Sequence, residues 1–300
     1  MPMKSGECYK TFLCGDYSFP LGERTYLMGV LNITPDSFSG DGLLQGKNPS
    51  ETAEASLRIA QNMVNCGADL IDVGGESSRP GALSISEQEE IDRIGGVIKL
   101  LSGNLRVPIS VDTYKASVSE EALKNGASWV NDITGLTGDP RMAPLIASSG
   151  ASVAIMHMKG ISATMQHMAV YQDLMGEIIE FFQNSIQLAR SAGITENRIF
   201  LDPGIGFGKT VEHNLEILRL LGRFKKLGYP ILVGTSRKSF IGKILNDRPV
   251  DRRLWGTAAT VALAIANGAD MIRVHDIAEM KDVVSIADAV VRDPQRGNID

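Results

Sequence analysis

The sequence predicts an α/β fold: a single (β/α)8 TIM barrel with a short N-terminal extension. Three observations carry this. Eight short apolar, β-branched runs recur along the 300 residues, alternating with helical segments in the order of βαβ units. Each run ends in hydrogen-bonding or ionised residues, which are costly to bury without a purpose. These polar ends are spread over all eight runs. A doubly wound open sheet would instead gather ligand residues at one switch point, whereas a barrel builds its site from the C-terminal ends of its strands.

In chain order, TYLMGVLN stops at Asn32, ADLIDVGGES carries Asp72 and Glu76, and VPISVD stops at Asp112. ASWVND ends with Asn131 and Asp132, SVAIMH with His157, and RIFLD with Asp202. YPILVGTSRK reaches Arg237 and Lys238, and ADMIRVH ends with Arg273 and His275. Between the runs, the segment 50–67 begins at Ser50 as N-cap and closes at Gly67 as C′ residue. The next, 84–103, carries Ser86 followed three residues later by Glu89, a capping box. Segments 113–126 and 169–193 close at Gly126 and Gly193. The segment 210–228 follows the sixth run, 251–268 the seventh, and 276–292 the eighth. Residues 1–24 form the extension, a candidate hairpin under the barrel, and 25–300 the barrel domain.

A hydrophobic content of 43% can fill a core, and a barrel uses about 250 residues as one domain. The net charge of −5 argues against a broad nucleic-acid footprint but leaves room for a local cationic pocket. Cys8, Cys14 and Cys66 are odd in number and form no CxxC pair, so neither a disulfide framework nor a structural zinc site is expected. MPMKSGECYK has no apolar core of a secretory signal. No stretch approaches the roughly 20 apolar residues of a membrane span. The expectation is a cytoplasmic protein that binds neither membrane nor nucleic acid.

Three loops are rich in Gly, Pro, Ser and Asp: 33–50, 74–85 and 202–210. The first far exceeds the usual βα connection of about 2–6 residues, as lids over catalytic faces do. DPGIGFGKT nearly matches the phosphate loop GxxxxGK[ST], but Pro203 stands where the first Gly is required. It is better placed as a tight turn lining a pocket beside Asp202. Asp112 and Asp202 accept hydrogen bonds, Asn131 donates and accepts, and Lys238 donates. A flat heterocycle with ring N–H, amino and carbonyl groups satisfies that set. Arg79, Arg237, Arg273, His275 and Asn32 form a second, anion-seeking set, suited to phosphate.

Eight strings stand in register: MGVLNITPDSFS, IDVGGESSRPGA, SVDTYK, NDITG, MHMKG, LDPGIGFGK, VGTSRKSFIG and IRVHD. Together they resemble the dihydropteroate synthase family from about Leu27 to Ile277, nearly the whole chain. The resemblance implies a TIM barrel. It also implies a transferase that joins a dihydropterin diphosphate to p-aminobenzoate and releases pyrophosphate in folate synthesis. It implies pterin contacts from Asp112, Asn131, Asp202 and Lys238, beside Met156. Pyrophosphate and Mg2+ would fall to Asn32, Arg273 and His275, helped by Ser78 and Arg79. The p-aminobenzoate would lie near Phe207, Lys238 and Ser239. Asp112, Lys238, Asp36 and Arg273 would carry the chemistry, Asn32 the metal, and a homodimer through late helices is expected.

The sequence departs from the family pattern at Ser78, where Thr is commoner, and at SFSGDG in place of SFSDGG, which moves the acidic residue to Asp41. Other polar residues have plainer readings. Asp132 caps a loop, His157 is a satisfied buried histidine, Glu76 organises the second loop, and His167 and His213 are solvated. An alternative is a pterin-binding methyltransferase that passes a methyl group from methyltetrahydrofolate to a corrinoid protein. It would share the pterin residues but has no need of SRK, RVHD or SSRPG. A metal-dependent hydrolase would need clustered histidines, and only four exist.

Overall fold

The computed structural model describes residues 11–34, 48–77, 81–160 and 168–292. A two-stranded antiparallel hairpin, β1 (Thr11–Cys14) and β2 (Tyr17–Pro20), precedes eight parallel strands. These are β3 (Tyr26–Asn32), β4 (Leu70–Gly74), β5 (Ile109–Asp112), β6 (Trp129–Asp132), β7 (Ser152–Met156), β8 (Ile199–Asp202), β9 (Leu232–Val233) and β10 (Met271–Val274). They pair in sequence order from β3 to β8, and β10 pairs both β3 and β9. A parallel bridge from Leu201 to Ile231 joins β8 to the β9 strand and closes the ring.

Outside the ring lie α1 (Pro49–Asn65), α2 (Glu87–Asn104), α3 (Ala116–Lys124), α4 (Met142–Ser149) and α5 (Leu174–Ala192). They continue with α6 (Val211–Arg219), α7 (Gly222–Lys225), α8 (Ser239–Ile244), α9 (Leu254–Ala266) and α10 (Ile277–Val291). Gly67, Gly126, Gly193 and Gly268 all follow helix ends at φ near +100°, the conformation that glycine adopts freely.

Several boundaries differ from the sequence reading, each for a local reason. The N-cap of α1 is Asn48, not Ser50. Asn48 Oδ1 accepts from Glu51 N, Glu51 accepts from Asn48 N, and Pro49 sits at N1, where a missing N–H costs nothing. Ser86 does cap α2, but Arg93 donates to the Glu89 carboxylate, so only half of the capping box forms. The segment 210–228 is two helices rather than one. Asn267 Nδ2 donates to Leu218 O and satisfies a terminal carbonyl, and Gly222 follows, a poor helix interior residue. The short helices α4 and α8 carry too few turns to show a clear period, and the pattern did not name them.

Alternation along the strands sorts the core into two parts. Leu27, Ile71, Val73, Val111, Val130, Ile155, Leu201, Ile272 and their neighbours face outward and pack under the helices. Inside the ring, Met28, Leu70, Trp129, Ala154, Phe200, Leu232 and Met271 form an apolar floor. The hairpin plugs that floor from below: Phe12 lies 4.8 Å from Trp129 and 4.6 Å from Phe200, centroid to centroid. Ser152 Oγ donates to Leu13 O and ties the hairpin to β7. Two residues further along the same strands, the inner face turns polar at Asp72, Asn131, Asp202 and Arg273.

Phe12 is fully buried, so Phe12→Ala should cost about 3–5 kcal/mol by transfer and cavity. Denaturant unfolding checks this; a loss below about 1 kcal/mol would show that the hairpin does not plug the barrel.

Candidate active site

Above the polar layer opens a cavity of about 700 Å³. Its wall includes Asn32, Asp112, Asn131, Met156, Asp202, Phe207, Lys238, Ser239, Arg273 and His275. These ten sequence candidates are therefore brought together. Asp36, Ser78 and Arg79 lie outside the described residues.

The deepest part is a network of ions. Arg273 Nε donates to Asp72 Oδ2 at 2.6 Å, and Arg273 Nη2 donates to Asp112 Oδ2 at 2.8 Å. Asn131 Nδ2 donates to the same Asp72 oxygen at 3.3 Å. Burial opposes the Arg273 charge, but the two carboxylates outweigh it and its pKa is raised. Asp112 is pushed up to about 7, first by burial; Arg273 pulls it down and Asp72 pushes it up. Asp202 is raised as well, by burial, while its Oδ1 accepts from Gly204 N at 2.7 Å. Gly74 packs between Asn32 and Asp112: a Cβ there would meet Asn32 Oδ1 at 3.5 Å and Asp112 Cβ at 3.6 Å.

The sequence reading offered both Arg237 and Arg273 to an anion. In the structure Arg273 is engaged by carboxylates, and the Arg237 guanidinium makes a two-point ion pair with Asp276. At the rim, His275 Nδ1 lies 2.9 Å from Ser236 Oγ, and the Lys238 ammonium sits 4.0 Å above the Phe207 ring.

Charged side chains brace the loops around the cavity. Lys115 Nζ reaches Glu76 at 2.6 Å, Glu90 at 2.8 Å and the Ile85 carbonyl at 2.7 Å. Glu76 also accepts from Ile85 N and Tyr114 Oη, so it does organise the second loop. Asp132 accepts from Thr134 N and Leu136 N and caps its loop. His157 is buried as expected, but its partner is Lys209, whose Nζ meets His157 Nδ1 at 2.9 Å and the carbonyls of His157 and Phe207. Burial pushes the Lys209 ammonium down to about 7, with Asp202 acting against that shift. His213 is not a free surface group: its ring stacks edge-on against Tyr171 at 5.0 Å, and its Nδ1 accepts from Thr210 N. Sequence reasoning named Asp72 as a polar end of its run without giving it a role, and assigned none to Lys115 or Lys209. Asp72 had a signal, since it lies two residues past Leu70 on the inner face of β4.

The comparisons agree with this geometry. Residues 28–275 match the family described as pterin binding enzyme. A dihydropteroate synthase of Synechocystis sp. is 47% identical over 93% of this chain and 94% of its own length. A Clostridium difficile dihydropteroate synthase, solved in the presence of pteroic acid, is 48% identical with a TM-score of 0.84. It aligns over 92% of this chain and 100% of its own. A Xanthomonas albilineans dihydropteroate synthase solved with 4-aminobenzoic acid is 35% identical with a TM-score of 0.85. That alignment covers 95% of this chain and 99% of its own.

Burial of the Asp112 carboxyl links its proton to folding. An unfolded aspartate titrates near 3.9, so the folded state holds this proton more tightly between about pH 4 and pH 7. Its contribution is full below about pH 4 and is lost as pH rises through 7, on the order of a few kcal/mol. Denaturant unfolding of the ligand-free protein across that window should show the decline, and Asp112→Asn should flatten it. An identical slope in the variant would mean that Asp112 ionises normally.

Proposed function

The chain belongs to the pterin binding enzyme family, and from that premise we propose that it acts as a dihydropteroate synthase. It condenses (7,8-dihydropterin-6-yl)methyl diphosphate with p-aminobenzoate to give 7,8-dihydropteroate and pyrophosphate. The observation that carries this reading is the convergence of Asp112, Asn131 and Asp202 on one wall of the cavity. They present acceptors at depth, as the amino and ring N–H groups of a reduced pterin require. Lys238 faces the same cavity and donates to the carbonyl side.

The substrate's CH2–O bond breaks early, and its electron pair leaves with pyrophosphate. The pterin-methyl cation that results is shielded by a dry floor and by the carboxylates of Asp112 and Asp202. The p-aminobenzoate nitrogen attacks that carbon and then sheds a proton. In this reading His275 at the rim stabilises the charge that develops on the leaving anion. Arg273 acts with Asp112 rather than as a bare cation. On the same reading Phe207 and Ser239 flank the arylamine, Ser78 and Arg79 help to hold the anion, and Asp36 takes part in the chemistry.

Mg2+ fits the donor set. Asn32 offers an amide oxygen at the mouth, and this hard ion is held by one or two protein oxygens together with substrate phosphates rather than by a protein cage. When bound, it would neutralise charge on the diphosphate. The protein works as a homodimer in this reading: α9 leaves Trp255 and Leu263 exposed, and α10 leaves Ile286 and Val290 exposed. Large exposed apolar side chains on adjacent helices mark interaction surfaces.

With Mg2+ and both substrates the protein should release pyrophosphate, with 7,8-dihydropteroate formed in equal amount. Asp202→Ala leaves a buried partner unsatisfied, about 1–3 kcal/mol, and should weaken dihydropterin diphosphate binding roughly 5- to 150-fold. Calorimetric titration reads this, and unchanged affinity would remove Asp202 from the site. Pyrophosphate release that does not depend on p-aminobenzoate would contradict the reaction.

A further inference from the structure

We propose that Asp72 is a positioning residue that sets the hydrogen-bonding polarity of the pterin pocket, an inference that rests on the functional reading above. Asp72 is fully buried on the inner face of β4 and lies beneath the cavity wall, behind Asn131 and Arg273. Asp72 is ion-paired with Arg273 at 2.6 Å, and a carboxylate in such a pair accepts hydrogen bonds without donating. The end of Asn131 that faces Asp72 must therefore be its NH2 group, 3.3 Å away, and the Asn131 oxygen points elsewhere. That oxygen is buried and has no hydrogen-bond partner among the described residues, and Asn131 lines the cavity. A buried acceptor left unpaired is expensive, so this atom calls for a donor supplied by the ligand.

The same Asp72 oxygen takes Arg273 Nε, which aims Arg273 Nη2 at Asp112 Oδ2. One carboxylate thus fixes two neighbours. It turns the amide of Asn131 so that only its acceptor is offered, and it ties up one oxygen of Asp112 through the arginine. Asp202, with one oxygen held by Gly204 N, completes a wall of acceptors. Such a wall selects a heterocycle whose edge carries donors and discriminates against one carrying a carbonyl at the same place. A site built to bond an N–H rejects the analogue that lacks it, because its own polar groups are then stranded.

Asp72→Asn keeps the shape and removes this constraint. An amide at position 72 can donate as well as accept, so the Asn131 amide is free to turn over and present its NH2. The test uses 6-hydroxymethylpterin and 6-hydroxymethyllumazine, which differ by an amino group against a carbonyl at C2. Calorimetric titration of the wild-type protein should favour the pterin by about tenfold or more. In Asp72→Asn the ratio should fall by about tenfold. In steady-state kinetics the KM for the dihydropterin diphosphate should rise while that for p-aminobenzoate stays within about twofold. A purely structural role for Asp72 would weaken both ligands alike and leave the ratio unchanged, and that result would overturn the proposal. So would a wild-type protein that binds the two ligands equally well, whether or not the variant folds. Failure of the wild-type protein to bind either ligand would overturn the functional reading and the proposal with it; a retained ratio in Asp72→Asn overturns the proposal alone.

Discussion

One guanidinium held between two carboxylates organises the deep end of this barrel's cavity. Taking the Arg273 charge out of water is costly, and only close, well-directed anions offset that cost. Asp72 and Asp112 supply them at 2.6 and 2.8 Å. The arrangement needs strands that bring β4, β5 and β10 to one point, which a closed ring does and a single loop could not. It also needs a dry base. The floor of Met28, Leu70, Trp129, Phe200 and Met271, plugged by Phe12 from the hairpin, provides one. The polar layer begins two residues later on the same strands, so the change from core to site is a matter of one step in the strand period.

The loops that frame the cavity are held by a second tier of buried charge. Lys115 with Glu76 and Glu90 fastens the stems of the second loop, and Lys209 ties the end of β7 to the loop after β8. Buried pairs of this kind add little net stability compared with apolar packing, yet breaking one is severe. Their use here is geometric: each joins backbone carbonyls or carboxylates from segments distant in sequence. The loop after β8 shows how tight that fit is. Gly204 has φ +66°, and a Cβ there would come within 2.0 Å of the His157 carbonyl, so no other residue can occupy the turn that delivers Gly204 N to Asp202.

The barrel was legible because its two signals are local. Apolar runs with polar ends mark strands, and glycines such as Gly67, Gly126 and Gly193 mark helix ends. Ten of the thirteen candidate residues line one cavity because strand ends in a parallel ring share a face. The helix pattern failed where tertiary contacts rule, as at Leu218, whose carbonyl is taken by Asn267, and in the short α4 and α8. Partner choice was also hidden. Periodicity gives the face of Arg273 but not that Asp72, 201 residues away, reaches it first. Nor could a pattern find that Lys209 is buried on two carbonyls, since its motif resembles a phosphate loop.

The central claim is that Asp72 and Arg273 act on the pterin as one unit. A double-mutant cycle with Asp72→Asn, Arg273→Gln and the double variant measures this directly, with dihydropterin diphosphate affinity read by calorimetry. Residues that share a network couple, so the two losses should fall short of additivity by more than about 1 kcal/mol. Losses that add within about 0.5 kcal/mol would mean that the two residues serve the ligand independently, and the network would be a by-product of packing rather than the constraint on which the site depends.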